Sequence, residues 1–257
     1  MQKDGIDFIV NWLTNYAEKA KMNGFVIGIS GGIDSAVTST LCAMTKLNVC
    51  LVALPIRQHK TEFDRANEHI NWLKNKFQNV TSSTIDLSET LSILENQLPE
   101  TARANHLVMA NTRSRLRMTT LYALAQDSNV LVAGTGNKIE DFGVGFYTKY
   151  GDGGVDISPI ADLTKSEVFQ LAQFLHIVPS IQDAKPTDGL WEDGRSDEDQ
   201  IGASYPELEW AMDFQGDETK LTDRKKEVLA IYKRLNAQNQ HKMQPIPVCT
   251  IPQFLRG

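Results

Sequence analysis

Apolar positions recur at helical spacing in some stretches of the chain and form short continuous runs in others. In residues 6–20 an apolar side chain returns every three or four positions, which is typical of an amphipathic helix. Residues 25–29 are an unbroken apolar run behind Gly24, and this pattern predicts a buried strand. Helical spacing resumes from about 34 to 46. A helix, a strand and a second helix are therefore predicted at the start of the chain.

The same alternation continues further along the chain. Strands are predicted at 49–54, 81–85 and 129–133. Helices are predicted at 61–77 with Thr61 as cap, at 88–98 with Ser88 as cap, through 113–125, and after a capping box of Thr164 and Glu167. Alternating strands and helices imply βαβ units and a parallel sheet covered on both faces. We therefore predict an α/β fold with a doubly wound parallel sheet flanked by helices.

No repeat, low-complexity stretch or long polar linker divides the sequence, which predicts a single domain over residues 1–257. Residues 176–220 are acidic, rich in glycine and show little periodicity. We predict that the part around 186–220 is a loop-rich segment that becomes ordered with substrate. A final helix is predicted at 222–235.

Three predicted strands end at residues that are typical of turns. Ser30, Pro55 and Gly134 each follow a strand directly. Because ligands of open parallel sheets bind beyond the carboxyl ends of the strands, these three loops are expected to converge on one site.

The first of these loops, SGGIDS at 30–35, has the properties of a phosphate site. Gly28, Gly31 and Gly32 permit a tight turn and close approach of a ligand, and the first amides of the next helix have no partner within the helix. Ser30 and Ser35 add hydroxyl donors. The loop lacks both the Walker lysine and the GxGxxG pattern. The alternative is a glycine-rich turn with a capping aspartate.

Carboxylates in two loops predict a magnesium site. Asp34 beside bound phosphates would be repelled unless a divalent cation lay between them. Glu140, in the stretch GTGNKIE after a predicted strand, can reach the same edge of the sheet. Without such a partner, Glu140 would be read as a solvated surface acid, and Lys149 with Asp152 as a simple loop ion pair.

Further motifs give the sequence a family resemblance. The SGGIDS loop resembles that of the N-type ATP pyrophosphatases, which cleave ATP between the α- and β-phosphates. YTKYGDGG at 147–154, PTDGLWEDGRSDE at 186–198 and the weaker pair His241 and Lys242 resemble the NAD synthetase family, over nearly the whole chain. The resemblance implies a Rossmann-like fold of the adenine nucleotide alpha hydrolase type.

The resemblance also assigns residues to ligands. It implies Mg²⁺ on Asp34 and Glu140, and catalytic roles for Asp34, Glu140 and Lys165. The implied ATP contacts are Gly28, Ile29, Ser30, Gly31, Gly32, Ile33, Asp34, Ser35, Thr135, Lys165 and Thr187. The implied deamido-NAD contacts are Arg115, Lys149, Asp156, His241 and Lys242. Arg57, after the second strand, is a further candidate for the ATP pocket.

The implied activity is a ligase reaction. ATP is the co-substrate, the carboxylate of deamido-NAD is adenylated, and ammonia displaces AMP to give NAD as the last step of its biosynthesis. Because 257 residues leave no room for a glutaminase beside the synthetase, ammonia is the expected donor, either free or from a separate partner. The family further implies a homodimer with the dinucleotide site at the interface, for which the region 102–125 is a plausible contact.

Charge and composition narrow the alternatives. The net charge of −6, from 26 basic and 32 acidic residues, argues against a broad nucleic-acid surface. No apolar run is long enough for a membrane span and no signal sequence is evident, so a cytoplasmic location is expected. The competing hypotheses are another N-type pyrophosphatase, such as a GMP synthetase subunit or a tRNA-modifying enzyme, and a nucleotide sensor of the universal-stress type.

One stretch departs from the family pattern. Many ammonia-using bacterial members read GTDHAAE where this chain reads GTGNKIE. The segment from there to YTKYGDGG is also one residue longer here. Glu140 still aligns, but the sequence assigns no role to Asn137 or Lys138.

Overall fold

The computed structural model describes residues 3–186 and 196–256. The predicted ATP contact Thr187 lies outside the described residues. The strands are β1 (Gly24–Gly28), β2 (Asn48–Ala53), β3 (Val80–Thr84) and β4 (Leu131–Val132). The helices are α1 (Lys3–Ala20), α2 (Ile33–Met44), α3 (Lys60–Lys76), α4 (Ser88–Gln97), α5 (Glu100–Arg103), α6 (His106–Ser128), α7 (Lys165–Phe174), α8 (Pro179–Gln182), α9 (Asp197–Ile201), α10 (Tyr205–Asp213) and α11 (Asp223–Met243).

The strands form one parallel sheet in the order β3-β2-β1-β4. This arrangement confirms the predicted α/β fold with a parallel sheet and flanking helices. The chain passes from β1 to β2 on one side, whereas β4 pairs with β1 on the other side. The order therefore reverses next to β1, and the carboxyl ends of β1 and β4 lie side by side at the point where such sheets bind ligands.

Alternate residues of β1 enter different cores, as expected for a strand that is buried on both faces. Phe25 and Ile27 pack in a cluster with side chains of α1, α2, α3 and α7. Val26 packs in a second cluster, which includes side chains of α4 and α6. The sheet thus has a helical layer on each face, and its carboxyl edge is left accessible.

A third core lies apart from the sheet. It joins α9, α10 and α11 to a π-helical turn at Ile139–Val144, and its buried members include Ile139, Leu208 and Val228. We call the π-turn together with α9, α10 and α11 the annex. The annex is joined to α7 by Glu209, whose carboxylate accepts bonds from the backbone amide (2.9 Å) and the hydroxyl (2.8 Å) of Ser166.

The described part of the segment predicted to be loop-rich, around 186–220, contains the helices α9 and α10. Residues 187–195 of that segment lie outside the described residues, and its ordering with substrate stays a prediction. Each of the two helices begins with a capping box, Ser196 with Asp199 and Ser204 with Glu207. The signal was present in the sequence, but it was hidden among other acidic residues in a stretch with weak apolar periodicity. The final helix also continues to Met243, beyond the predicted end at 235.

Helix starts show which capping predictions hold. The capping box of Thr164 and Glu167 at α7 is confirmed. The predicted Thr61 cap is wrong, because α3 begins after His59 without a side-chain cap. Ser88 is the first residue of α4 rather than its cap, and its backbone amide donates to Asp86 Oδ1 at 2.8 Å.

Within the described ranges, no helix combines the length and apolar character needed to cross a bilayer.

Candidate functional site

The SGGIDS loop joins β1 to α2 and has a backbone that requires glycine. Gly31 has a φ of +88°, and a Cβ there would lie 2.4 Å from the carbonyl oxygen of Glu62. Position 31 therefore excludes any larger residue on both conformational and steric grounds. Helix α3 fixes the loop from outside, since Arg65 Nε donates to the Gly31 carbonyl at 3.3 Å.

The start of α2 is arranged as an anion site. Gly32 is the N-cap residue and no side chain caps the helix. Ser35 Oγ donates to the Gly32 carbonyl at 2.9 Å and lies 3.1 Å from Ser30 Oγ, which accepts the Gly32 amide at 3.1 Å. The hydroxyls thus hold the turn, while the first amides of the helix and the positive end of its dipole face the cleft.

Three charged side chains meet beside this loop. Lys165 Nζ donates to Asp34 Oδ2 at 2.5 Å and to Glu140 Oε1 at 3.0 Å. The side chain of Lys165 is 3% exposed, and those of Asp34 and Glu140 are 17% and 16% exposed. The sequence predicted that Asp34 and Glu140 reach one edge of the sheet, and the structure brings them together on one cation. It did not predict that Lys165 lies between them.

The electrostatics of this cluster favour a further positive charge. Burial raises the pKa of Asp34, Lys165 opposes this, and Glu140 adds to it. Burial alone would lower the pKa of Lys165, but Asp34 and Glu140 raise it, so the ammonium stays charged. Two carboxylates and one ammonium leave a net charge of about −1, to which ATP would add several negative charges. A divalent cation shared with phosphate oxygens suits this set of ligands.

The two carboxylates fit such an ion, with part of its coordination shell left to the substrate. Both point at one position, at which the Lys165 ammonium stands in for a cation. Within residues 3–186 and 196–256, no cluster of three or more His, Cys, Asp or Glu forms a metal site by itself. Oxygen ligands from ATP and water would therefore have to complete the shell.

Asn137, to which the sequence assigned no role, fixes the relative position of the carboxylates. It is completely buried. Its Nδ2 donates to Asp34 Oδ1 at 3.2 Å, and its Oδ1 accepts the amides of Ile139 at 3.1 Å and Glu140 at 3.2 Å. One amide side chain therefore connects α2 to the π-turn that carries Glu140.

The π-turn at Ile139–Val144 begins directly after Lys138 and is wider than a turn of α-helix. The turn also brings Asp141 over Gly136, where a Cβ would lie 2.3 Å from the Asp141 carboxylate oxygens. Burial raises the pKa of Asp141 to about 8, and Glu140 contributes to the shift. Gly136 and Asp141 are thus sterically coupled in this chain.

The residues expected to contact the dinucleotide line the same cleft as the SGGIDS loop, with one exception. Arg115 Nε donates to the Lys149 carbonyl at 3.2 Å, and Lys149 Nζ donates to the His241 carbonyl at 2.6 Å. Lys242 Nζ donates to the carbonyls of Gly145 and Tyr147. The end of α11 is therefore fastened to the loop 145–149.

Asp156 and Asp152 have positions that the sequence did not indicate. Asp156 is not among the residues that line the cleft, and its carboxylate accepts the Val132 amide at 2.8 Å and the Tyr122 hydroxyl at 3.1 Å. Asp152 Oδ1 accepts the Ser114 hydroxyl at 2.6 Å and the Thr148 amide at 3.0 Å. The alternative of a Lys149–Asp152 ion pair is therefore not what the structure shows.

The whole arrangement surrounds a cleft of about 640 Å³. Every residue expected to bind ATP, apart from Thr187, lines it, and so do Glu140, Arg115, Lys149, His241 and Lys242. Arg117 also lines it and donates to the Leu54 carbonyl at 3.0 Å. Arg57 does not line it, because its guanidinium pairs with Glu95 of α4 at 2.7 Å.

The chain is similar to known proteins over most of its length. A family model described as NAD synthase matches residues 6–246. The NH(3)-dependent NAD(+) synthetase of Alkaliphilus metalliredigens is 39% identical, over 94% of this chain and 97% of that protein. The structure of an NMN synthetase from Francisella tularensis superposes with a TM-score of 0.84 at 32% identity, covering 98% of each chain. An NH3-dependent NAD synthetase structure from Campylobacter jejuni shares the fold, with a TM-score of 0.78 at 24% identity over 97% of this chain and 100% of that one.

Proposed function

The chain belongs to the NAD synthase family, and from that premise we propose that its cleft carries out the ATP-dependent amidation of deamido-NAD with ammonia, which produces NAD. This assignment is supported above all by one observation. Lys165 bonds to both Asp34 and Glu140 beside the start of α2, which no side chain caps. A phosphate site and a pair of carboxylates that converge on one cation are what cleavage of a nucleoside triphosphate needs.

We assign the triphosphate to the SGGIDS loop. The open amides at the start of α2 would bind phosphate oxygens, and Lys165 would neutralise charge on the departing pyrophosphate. Asp34 and Glu140 would hold Mg²⁺ together with phosphate oxygens. The ion would supply charge neutralisation at the phosphates when bound. In this assignment, Asn137 keeps the two carboxylates at a fixed separation.

The proposed reaction has two steps. A carboxylate oxygen of deamido-NAD forms a bond to the α-phosphorus of ATP, and the bond to pyrophosphate breaks. Ammonia then forms a carbon–nitrogen bond at the activated carboxyl carbon, AMP leaves, and one proton passes to solvent. The chain contributes position and charge stabilisation rather than a covalent nucleophile.

The nicotinate end of the substrate is assigned to the part of the cleft that is lined by the loop 145–149 and the end of α11. Arg115, Lys149, His241 and Lys242 lie there, and the side chains of Arg115, Lys149 and Lys242 are cationic. We propose that this part of the cleft binds the phosphates and carboxylate of the dinucleotide. Asp156 remains a proposed contact although it lies outside the lining of the cleft.

We further propose that the protein is a homodimer in which a second copy completes the dinucleotide site. The support is the family membership and the exposure of the apolar residues Leu107 and Val108 at the start of α6, the helix that carries Arg115. Sedimentation velocity tests this: a dimer is expected, whereas a fully active monomer would overturn it. The cytoplasmic location stays a prediction.

A second candidate substrate is favoured by one comparison. The Francisella tularensis structure, which is 32% identical to this chain, is that of an NMN synthetase. A mononucleotide shares the nicotinate carboxylate and the first phosphate with the dinucleotide and lacks only the adenylyl half. The ratio of kcat/KM for nicotinate mononucleotide and deamido-NAD decides between them: a larger value for the dinucleotide is expected, and a larger value for the mononucleotide would reverse the assignment.

The function is tested directly with the purified chain, deamido-NAD, ATP, Mg²⁺ and ammonium. We expect NAD, AMP and pyrophosphate in equal amounts. Stoichiometric ADP in place of AMP would overturn the mechanism. Replacement of ammonium by glutamine is expected to stop the reaction, and efficient turnover with glutamine would overturn the assignment of ammonia as donor.

A further inference from the structure

Tyr205 of α10 contacts two of the three charged residues at the centre of the cleft. Its side chain is buried, with the residue only 3% exposed. The hydroxyl donates to Glu140 Oε1 at 2.6 Å and lies 3.3 Å from Asp197 Oδ2. The centroid of the ring lies 4.7 Å from Lys165 Nζ. One aromatic side chain from the annex thus reaches both a proposed ligand of the metal and the lysine that bridges the carboxylates.

The position of Tyr205 is fixed by the start of α10. The amide of Tyr205 donates to Glu198 Oε1 at 2.9 Å. The preceding residue, Ser204, forms a capping box with Glu207, and Arg224 of α11 pairs with Glu207 at 2.7 Å. Contacts with α9 therefore fix the backbone of Tyr205, and contacts with α11 fix the capping box that precedes it.

Two donors converge on the same oxygen of Glu140. Tyr205 and Lys165 both donate to Oε1. In the part of the chain that the structure describes, no hydrogen bond reaches Oε2. Such an arrangement restricts the rotation of the carboxylate group of Glu140, which is one of the residues that line the cleft. A charge-assisted bond from a buried hydroxyl is strong enough to restrict that rotation.

The ring has a separate effect on Lys165. An ammonium over the face of a tyrosine ring is attracted to it, and the attraction grows when water is excluded. Lys165 must leave the carboxylates at least in part if a cation is to bind between them. The ring of Tyr205 can stabilise the Lys165 ammonium beside the proposed phosphate site even when the ammonium no longer bonds to those carboxylates.

We propose that Tyr205 is a positioning residue for the reaction, which orients Glu140 through its hydroxyl and supports Lys165 with its ring. This inference rests on the proposed function, because it concerns the same carboxylates. Tyr205 acts through these two residues and does not touch the reacting atoms itself. The helices α9, α10 and α11 of the annex then take part in catalysis through Tyr205, in addition to Glu140, which the π-turn supplies.

The test uses Tyr205→Phe, which removes the hydroxyl and keeps the ring. Tyr232→Phe is the matched control, because Tyr232 packs in the same core. The first readout is the affinity for Mn²⁺ in the presence of α,β-methylene ATP, measured by electron paramagnetic resonance. Since a hydrogen bond to a charged group is lost, Tyr205→Phe is expected to weaken Mn²⁺ binding by about tenfold. Tyr232→Phe is expected to bind it like the wild type.

The second readout is the dependence of NAD formation on Mg²⁺ concentration. Tyr205→Phe is expected to require about tenfold more Mg²⁺ for half of its maximal rate, with an unchanged melting temperature. A merely structural tyrosine would lower the melting temperature and leave the Mg²⁺ requirement unchanged. Unaltered Mn²⁺ affinity, or an equal loss in Tyr232→Phe, would overturn the proposal.

A double-mutant cycle shows whether the effect passes through Glu140. In the Glu140→Gln background, Tyr205→Phe is expected to cause no further loss of Mn²⁺ affinity, since the carboxylate that it orients is gone. If the two substitutions instead reduce the Mn²⁺ affinity additively, Tyr205 does not act through Glu140. The binding measurement also separates the two hypotheses: if the wild type forms no NAD, the proposed function fails, whereas the Mn²⁺ result still decides the role of Tyr205.

Discussion

The sheet edge and the annex supply the site in different ways. The sheet edge, made of the SGGIDS loop and the start of α2, offers backbone amides whose positions are fixed by φ angles and by α3 packed behind them. The annex offers the ends of long side chains, Glu140, Tyr205 and Lys242, on helices that share a core away from the sheet. A change at the sheet edge is therefore expected to damage the fold or all turnover, and a change in the helices α9, α10 and α11 of the annex is expected to alter the strength of binding.

The largest expected effect is at Asp34. Asp34→Asn removes a charge that the proposed metal and Lys165 both need, so pyrophosphate release should fall by at least about a hundredfold. The protein should stay folded, because the amide keeps the size of the carboxylate and Lys165 keeps Glu140 as a charged partner. The assay is pyrophosphate release, followed alongside thermal unfolding.

Asp162→Asn is the matched control for this experiment. The side chain of Asp162 is exposed and pairs with Lys138 at 3.3 Å. Full activity is expected for this variant. If Asp34→Asn kept most of the wild-type activity, the nucleotide-sensor hypothesis would regain support.

A backbone clash should make Gly31→Ala the most destabilising change in the loop. A Cβ at position 31 is disfavoured both by the positive φ and by the nearby carbonyl of Glu62. The free energy of unfolding should therefore fall by about 2 kcal/mol or more. Gly32→Ala is the control, because its φ is −94° and the nearest obstacle is the Ser30 hydroxyl at 3.3 Å, which can rotate. Urea unfolding measures both, and equal losses would contradict a rigid sheet edge.

Acid should destabilise the sheet side through His69. His69 is completely buried behind α2, 2.9 Å from Ser39 Oγ, and burial lowers its pKa to about 4 from 6.5. Between pH 6.5 and 4 the unfolded chain binds a proton that the folded chain does not, so stability is lost as the pH falls through this window. The loss from this group should be on the order of 2–3 kcal/mol.

Unfolding in urea at several pH values measures this loss. His69→Gln should show a shallower fall in stability between pH 6.5 and 4 than the wild type. His59→Gln, at an exposed histidine, should follow the wild type. A variant at position 69 that tracks the wild type across the window would assign the acid sensitivity to other groups.

The smallest expected effect lies next to the annex. In Gly136→Ala the new Cβ meets the end of a side chain, the carboxylate of Asp141, which can move. A loss of only about 1 kcal/mol is expected. Asp141→Ala in the same chain should recover most of it, because the obstacle is removed. Strictly additive losses in urea unfolding would show that the two positions are not coupled.

Local patterns were enough to predict most of the sheet edge. Apolar runs and helical spacing located the strands and the helices between them, and SGGIDS located the phosphate loop, because strand, turn and cap signals lie within a few residues. The common edge of Asp34 and Glu140 followed from parallel topology alone. These features depend on short-range rules together with one rule for parallel sheets.

The interior of the site depended on contacts that no local pattern records. Lys165 lies 131 positions from Asp34 in sequence, and Tyr205 lies 65 positions from Glu140. The capping-box prediction located Lys165 at a helix start but gave no reason for its side chain to turn between two carboxylates. The sequence analysis did not predict the π-turn at Ile139–Val144, whose residues Ile139 and Val144 pack in the core that the annex forms.

The bridging position of Lys165 also bears on the order in which ligands arrive. A tethered ammonium between Asp34 and Glu140 competes with a free ion at a high effective concentration, since it is already in place. A free divalent ion would have to displace the Lys165 ammonium by itself. An ion bound to a triphosphate arrives together with phosphate oxygens, which can accept the ammonium in place of the carboxylates. The site is therefore expected to admit its metal as the nucleotide complex and to discriminate against loose cations in solution.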